Sequence, residues 1–210
     1  MHPPTTAALV LAAGLSRRFG KAKLEALYRG RPLVAHVLDE VAAALEEQIV
    51  ACAVVVHRPH DAVTAALATQ AGATPVVNAH FASGMASSLC AGLEALAALP
   101  EPPRLEGVVI LLGDQPLVRR QTIALVIQAA GRSMDLVRPV YGRLPGVPGH
   151  PVFVSRRVWD RARTLHGDQG FQILESLGGI CACTIPVEGQ NPDVDTPADL
   201  AALEDTPPHA

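Results

Sequence analysis

Aromatic side chains are scarce in this chain: one Trp, two Tyr and four Phe, 3% of 210 residues. Its core is therefore expected to be aliphatic and rich in alanine. Nowhere do about 18 apolar residues follow one another, the length that a membrane-spanning helix needs, so no span is expected. The opening MHPPTT lacks a basic segment ahead of an apolar one. It does not read as a secretory signal, and the cytoplasm is the expected compartment. The formal net charge is −3, with no general excess of basic residues, which argues against nucleic acid as a partner. Only four cysteines occur, Cys52, Cys90, Cys181 and Cys183, with no C-x-x-C pair and no metal-ligand spacing. They are read as buried free thiols acting as small hydrophobes. His36, His57, His60, His80 and His166 share no metal-site spacing either.

What is present is a chain 49% apolar, long enough for one sizeable core. One domain over 7–204 is expected, with loose tails at 1–6 and 205–210. The organising stretch is Ala7 to Leu24. A short apolar run, Ala7 to Ala13, suits a buried strand ending at Gly14. Ser16, Arg17, Arg18, Gly20, Lys21 and Lys23 follow at once. Glycine lets a backbone bend tightly and approach a ligand. Backbone N–H groups at such a bend can cradle phosphate, with arginine and lysine neutralising it. A solvated basic loop is the plainer alternative. The P-loop pattern fails, because five residues separate Gly14 from Gly20 and Ala22 follows Lys21. The dinucleotide fingerprint fails too, since residue 16 is Ser and residue 17 is Arg. Two cations within the turn suit a nucleoside triphosphate.

Further on, β-branched and apolar runs at Ile49–Val56, Thr74–Asn78, Gly107–Leu112, Asp135–Val140, His150–Val154 and Ile180–Ile185 read as strands. Helical spacing appears after Pro32, over His60–Ala71, from Ser83 or Gly84, and over Arg119–Gly131. It recurs over Ser155–Leu165, Gly170–Leu177 and Pro197–Leu203, the last capped by Thr196. Gly30-Arg31-Pro32 reads as a turn, and residues 100–104 as a proline-rich loop. Alternating strands and helices argue for a mostly parallel sheet covered on both faces, with an antiparallel insert around residues 135–154. Ligands of such sheets bind beyond the carboxyl ends of the strands. The polar sequences 14–23, 78–88 and 113–116 all follow strands directly, so they are expected to meet on one sheet edge.

Asp114 ends an otherwise apolar strand, in Gly113-Asp114-Gln115-Pro116. A carboxylate there needs a partner. Either it bonds its own turn backbone, or it holds magnesium, which takes one or two carboxylates plus substrate phosphates. Asp193 and Asp195 are two apart and face one way on an extended segment, or one of them caps the last helix.

The run LAAGLSRRFGKAK resembles the L-A-A-G-x-S-x-R-x-G-x-x-K signature of the MobA-like nucleotidyltransferases, and within them is most similar to the molybdenum cofactor cytidylyltransferases. Leu11, Ala12, Ala13, Gly14, Ser16, Arg18, Gly20 and Lys23 occupy the signature positions. The resemblance implies a three-layer α/β/α Rossmann-like fold of the nucleotide-diphospho-sugar transferase type, whose antiparallel insert helps shape the acceptor pocket. It implies Arg18 and Lys23 as catalytic cations. The backbone from Leu11 through Leu15 to Arg17, with Asn78, Gly84 and Ser88 in GMASSLCAGL and the strand before it, would bind the nucleotide. GDQP and the D-x-D-T-P-x-D-L stretch imply Asp114 and Asp195 as ligands of Mg2+, with Mn2+ possible and Asp193 in reserve; Asp199 is structural. Gln115, Gly149 and His150 would face the acceptor. Ala12-Ala13 before Gly14 accompanies CTP in the family, where guanylyl-transferring relatives carry a second glycine.

The expected reaction moves CMP from CTP to the terminal phosphate of molybdopterin, releasing pyrophosphate. That phosphate is largely a dianion at neutral pH and needs no general base. Transient contact with a molybdenum hydroxylase or its chaperone is the one protein partner implied. Three alternatives stand beside it: another phosphorylated acceptor, such as a sugar phosphate or methylerythritol phosphate; GMP transfer; and a non-catalytic cofactor-delivery module.

Overall fold

A computed structural model of the chain describes residues 5–204 apart from 21, 100–103, 143–145, 172, 174, 176 and 177. Lys21, both expected tails beyond those limits, most of the proline-rich loop and four positions of the helix expected over 170–177 lie outside the described residues. In chain order the strands are β1 (Thr6–Ala12), β2 (Leu27–Tyr28), β3 (Arg31–Pro32), β4 (Cys52–His57), β5 (Thr74–Val77), β6 (Gly107–Leu112), β7 (Leu136–Tyr141), β8 (Val152–Ser155) and β9 (Ala182–Val187). The α-helices are α1 (Leu33–Glu46), α2 (Ala62–Gln70), α3 (Met85–Ala97), α4 (Arg120–Ala130) and α5 (Pro197–Glu204).

Seven strands form one sheet in the order β5-β4-β1-β6-β8-β7-β9. β1 is fully buried and pairs in parallel with β4 and β6. Its alternate residues feed two cores, as side chains on a strand must. Ala8, Val10 and Ala12 meet α1 and α4 residues such as Val37, Val41 and Ile123. Leu9, Leu11 and Ala13 meet Leu89 and Leu93 of α3, Trp159 and Phe171. The core is aliphatic, as the composition required.

β8 alone runs antiparallel, against both β6 and β7. The antiparallel pair expected around 135–154 therefore exists as β7 and β8, built into the main sheet. A second antiparallel pair, β2-β3, forms a ribbon of its own. Its turn places Arg29 and Gly30 at φ 48° and 76°, the left-handed pair that a two-residue hairpin needs. Where a helix is expected after β8, Arg156–Thr164 winds as 3-10 turns, started by Ser155 Oγ accepting from the Arg157 N–H at 3.3 Å. No described cysteine is fully buried, and Cys181 is exposed. β9 is an edge strand whose burial alternates, so the apolar run there does not mean enclosure. No helix among the described residues is long and apolar enough to cross a membrane.

β1 and β6 end level, Leu11 opposite Leu112, while Ala12 of β1 stands opposite His57 of β4. The loops after them thus open on one edge. A third, small apolar cluster lies there: Phe19, Ala26, Tyr28, Leu33, Val194 and Leu203. It ties the loop after β1 to the segment before α5.

Packing outweighs helix propensity at Gly92 of α3. A Cβ there would sit 2.3 Å from Leu9 Cδ1 and 3.1 Å from Val56 Cγ2, and Leu9 is fully buried. Alanine gains about 1 kcal/mol in a helix over glycine, whereas overpacking costs about 1–3 kcal/mol. Gly92→Ala is expected to lower stability in urea denaturation; a stabilised variant would contradict this packing.

Candidate active site

The loop from Ala13 to Ala22 leaves β1 and folds back on itself. Ser16 takes the left-handed conformation at φ 52°, and Phe19 N–H donates to Ser16 O at 3.0 Å. Phe19 is buried, so the apolar ring anchors a loop whose arginines stay in solvent. On the other side, Val194 is buried in the same cluster, and its N–H donates to Asp114 O at 3.1 Å. With Val194 turned inward, the flanking Asp193 and Asp195 both line the cleft. Burial of two apolar residues thus brings cations and carboxylates together.

The centre of the arrangement is Lys23. Its Nζ lies 2.6 Å from Asp114 Oδ2 and 3.1 Å from Asp195 Oδ1. Arg18 Nη2 lies 2.8 Å from Asp195 Oδ2. Burial pushes the Lys23 pKa down, but the Asp114 charge, followed by Asp195, outweighs it and the value rises. Asp193 is held up by burial first and by the Asp114 charge second, against a hydrogen bond from Gln115 Nε2 at 2.8 Å. Asp199 is structural, as expected. Its Oδ2 accepts from the N–H groups of Asp195 and Thr196, while Asp199 N–H donates to Thr196 Oγ1. This reciprocal cap fixes the backbone of Asp195.

One cleft of about 690 Å³ is lined by Leu11, Ala12, Ala13, Gly14, Leu15, Ser16, Arg17, Arg18, Lys23, Gly84, Ser88, Asp114 and Asp195. Four sequence-predicted residues are not among its lining residues. Asn78 lies beneath it, 3% exposed. Its Nδ2 donates to Ser87 Oγ and Ser88 Oγ at 2.9 and 3.0 Å, and its Oδ1 accepts from His80 N–H at 2.8 Å. Asn78 braces the turn before α3. Gln115 is buried, bonded to Asp193 on one side and to Asn191 Nδ2 at 3.0 Å on the other. Gly149 N–H donates to Pro139 O at 2.8 Å. The His150 carbonyl accepts from Tyr141 OH at 2.7 Å and Asn191 Nδ2 at 3.2 Å. The His150 side chain lines a small neighbouring cavity that shares Leu11 and Met85 with the cleft.

The cleft also includes Phe81, Met85, Gly167 and Asp168, which sequence reasoning did not select. One signal for them exists: His166-Gly167-Asp168-Gln169 repeats the Gly-Asp pair of Gly113-Asp114. Gly84, at φ 104°, packs so closely on this segment that a Cβ would lie 2.3 Å from the Gly167 carbonyl carbon.

The chain matches the MobA-like NTP transferase domain over residues 8–179. It belongs to that family. The matched domain is thus of the NTP transferase type. Among solved structures, the MobA-like fold here is similar to Rv0371c of Mycobacterium tuberculosis H37Rv, at 28% identity and a TM-score of 0.79, covering 98% of this chain and 100% of that one. A manganese complex of Rv0371c matches at 27% identity and a TM-score of 0.76, covering 96% and 99%. The fold also matches molybdopterin-guanine dinucleotide biosynthesis protein A of Archaeoglobus fulgidus at 19% identity, with a TM-score of 0.65, covering 95% and 97%. Among curated proteins, the bifunctional protein GlmU of Stenotrophomonas maltophilia is 34% identical over 143 residues, 65% of this chain. The chain spans only 29% of that protein's length.

His150 gives the site a pH signature. Burial chiefly, and Arg138 secondarily, push its pKa down from 6.5 to about 4. Between these values the unfolded chain binds a proton that the folded protein refuses, so stability falls as pH drops through that window. The loss is at most about 3 kcal/mol. His150→Gln is expected to flatten the stability slope between pH 6.5 and 4, measured by urea denaturation; an unchanged slope would remove the assignment.

Proposed function

We propose that this protein transfers CMP from CTP to the terminal phosphate of molybdopterin and releases pyrophosphate. The carrying observation is the convergence of Arg17, Arg18 and Lys23 with Asp114 and Asp195 in one cleft. Cations alone would hold a polyanion. Paired carboxylates among them are unfavourable for phosphate binding unless a further cation joins them. The choice of CTP follows Ala12-Ala13, the pair that accompanies CTP in the family resembled.

The donor set suits a divalent cation. One ammonium already sits within 3.1 Å of an oxygen from each of Asp114 and Asp195, so a positive charge fits between them. Hard carboxylate oxygens are what Mg2+ and Mn2+ take, with substrate phosphates completing the shell. Among the described residues no group of three or more His, Cys, Asp or Glu is disposed to hold a metal. The ion would therefore depend on the nucleotide for further ligands. Manganese in the mycobacterial relative supports a divalent ion here. Bound on Asp114 and Asp195, it would neutralise part of the triphosphate charge and polarise the α-phosphate.

The protein's own groups supply the rest. Ser16 turns the loop, and Ala13 to Arg18 all line the cleft. Lys23 and Arg18 are shared with carboxylates in the free protein; the triphosphate offers them a second set of anions. They stabilise the charge that builds at the phosphates in transfer. His150, which lines the neighbouring small cavity, would face the acceptor, while Gln115 acts from below by bonding Asp193 and Asn191. A molybdenum hydroxylase or its chaperone is the proposed recipient of the product.

Incubation with each nucleoside triphosphate, magnesium and molybdopterin, followed by mass analysis, is expected to yield the cytosine dinucleotide from CTP. A GMP adduct, or no adduct, would overturn the CTP reading. Asp114→Ala is expected to cut pyrophosphate release by roughly a thousandfold and Lys23→Ala by roughly a hundredfold in kcat. Unchanged turnover in Asp114→Ala would remove the metal role. A Lys23→Ala loss confined to molybdopterin affinity would remove its transition-state role.

A further inference from the structure

The cleft is electrically divided. Its lining cations, Arg17, Arg18 and Lys23, all lie on the loop after β1 and the turn that follows. A second part of the lining, Phe81, Gly84, Met85, Ser88, Gly167 and Asp168, carries no lysine or arginine, and contacts of Gly84 with Gly167 and of Met85 with Asp168 hold it together. A carboxylate there repels phosphate, so this part suits an uncharged heterocycle, with Phe81 also in the lining.

Asp168 is held there by the fold. Gly167 O accepts from Ala86 N–H at 2.9 Å, and Asp168 Oδ1 accepts from Met85 N–H at 3.3 Å. Close packing of Gly84 on the Gly167 backbone leaves the segment no room to shift inward. An ionised carboxylate only accepts hydrogen bonds, through about four lone-pair sites on two oxygens. The Met85 N–H uses one of them. Asp168 is otherwise exposed to the cleft.

We propose that Asp168 determines base specificity, accepting a hydrogen bond from an exocyclic amino group and selecting cytosine over uracil. This rests on the reading that the cleft binds a nucleoside triphosphate with its phosphates on the cationic loop. Cytosine presents an N4 amino donor where uracil presents an O4 acceptor. A site built to bond one group discriminates strongly against an analogue lacking it.

Asp168 also accepts from the first N–H of α3, whose N-cap is Gly84, so the test must separate the two roles. Asn caps a helix as well as Asp does, while replacing one acceptor oxygen with an N–H donor. The experiment is calorimetric titration of wild type and Asp168→Asn with CTP and with UTP, in magnesium, alongside thermal melts. Expected is a wild-type preference for CTP that falls by roughly tenfold to a hundredfold in the variant, with the melting temperature unchanged. An unmoved CTP-to-UTP ratio, or equal weakening of both nucleotides, would leave Asp168 a partner of the Met85 N–H alone and overturn the proposal. GTP and inosine triphosphate form the second pair, since inosine lacks the 2-amino group. Wild-type selectivity for GTP over inosine triphosphate, lost in Asp168→Asn, would support amino-group reading by Asp168 and overturn the choice of CTP. Failure of wild type to bind any nucleoside triphosphate would overturn both.

Discussion

Two carboxylates from distant parts of the chain, Asp114 and Asp195, share the ammonium of Lys23. Like charges held this close repel, and partial burial strengthens the repulsion. Lys23 resolves it from 7% exposure, too enclosed to be a casual surface partner. A buried charge left without its partner costs about 3–5 kcal/mol. Loop, turn and C-terminal segment are therefore locked to one another by one nitrogen atom. Such a lock adds little net stability, because desolvation offsets most of the attraction. Its consequence is placement.

Apolar contacts set up that placement. Phe19 and Val194 are buried in one cluster and stand beside Arg18 and Asp195 in sequence. The hydrophobic term brings the two segments together, and the charges then pair at its margin. Asp199 adds local stiffness by capping α5 and gripping the Asp195 backbone. The neutral cluster that results is poised for exchange: a polyphosphate competes for Arg18 and Lys23, and a dication competes for Asp114 and Asp195. Either alone leaves one sign unbalanced.

Much of this was legible in the sequence. Gly107–Leu112 runs as read, because five apolar residues bounded by glycines have few other homes. The Gly-rich cationic loop, GDQP and the two aspartates near the end each mark a strand terminus or a cap, which are local features. The harder parts were non-local. Alternation finds a strand without finding its neighbours, so β8 could not be placed inside the main sheet, nor β9 at its edge with Cys181 exposed. Asn78 and Gln115 look like ligand contacts because they follow strands directly, yet each is buried among hydrogen-bond partners that only folding supplies. Gly167 and Asp168 reach the cleft through the close approach of two glycines that are 83 residues apart. No periodicity announces such a contact.

The most direct test asks whether the carboxylate pair needs a cation of any kind. Thermal melting of Lys23→Met, with and without Mn2+ and without nucleotide, measures this. The variant is expected to melt well below wild type and to be restored by Mn2+, though not by sodium chloride at equal ionic strength. A variant as stable as wild type, or one indifferent to Mn2+, would contradict the account.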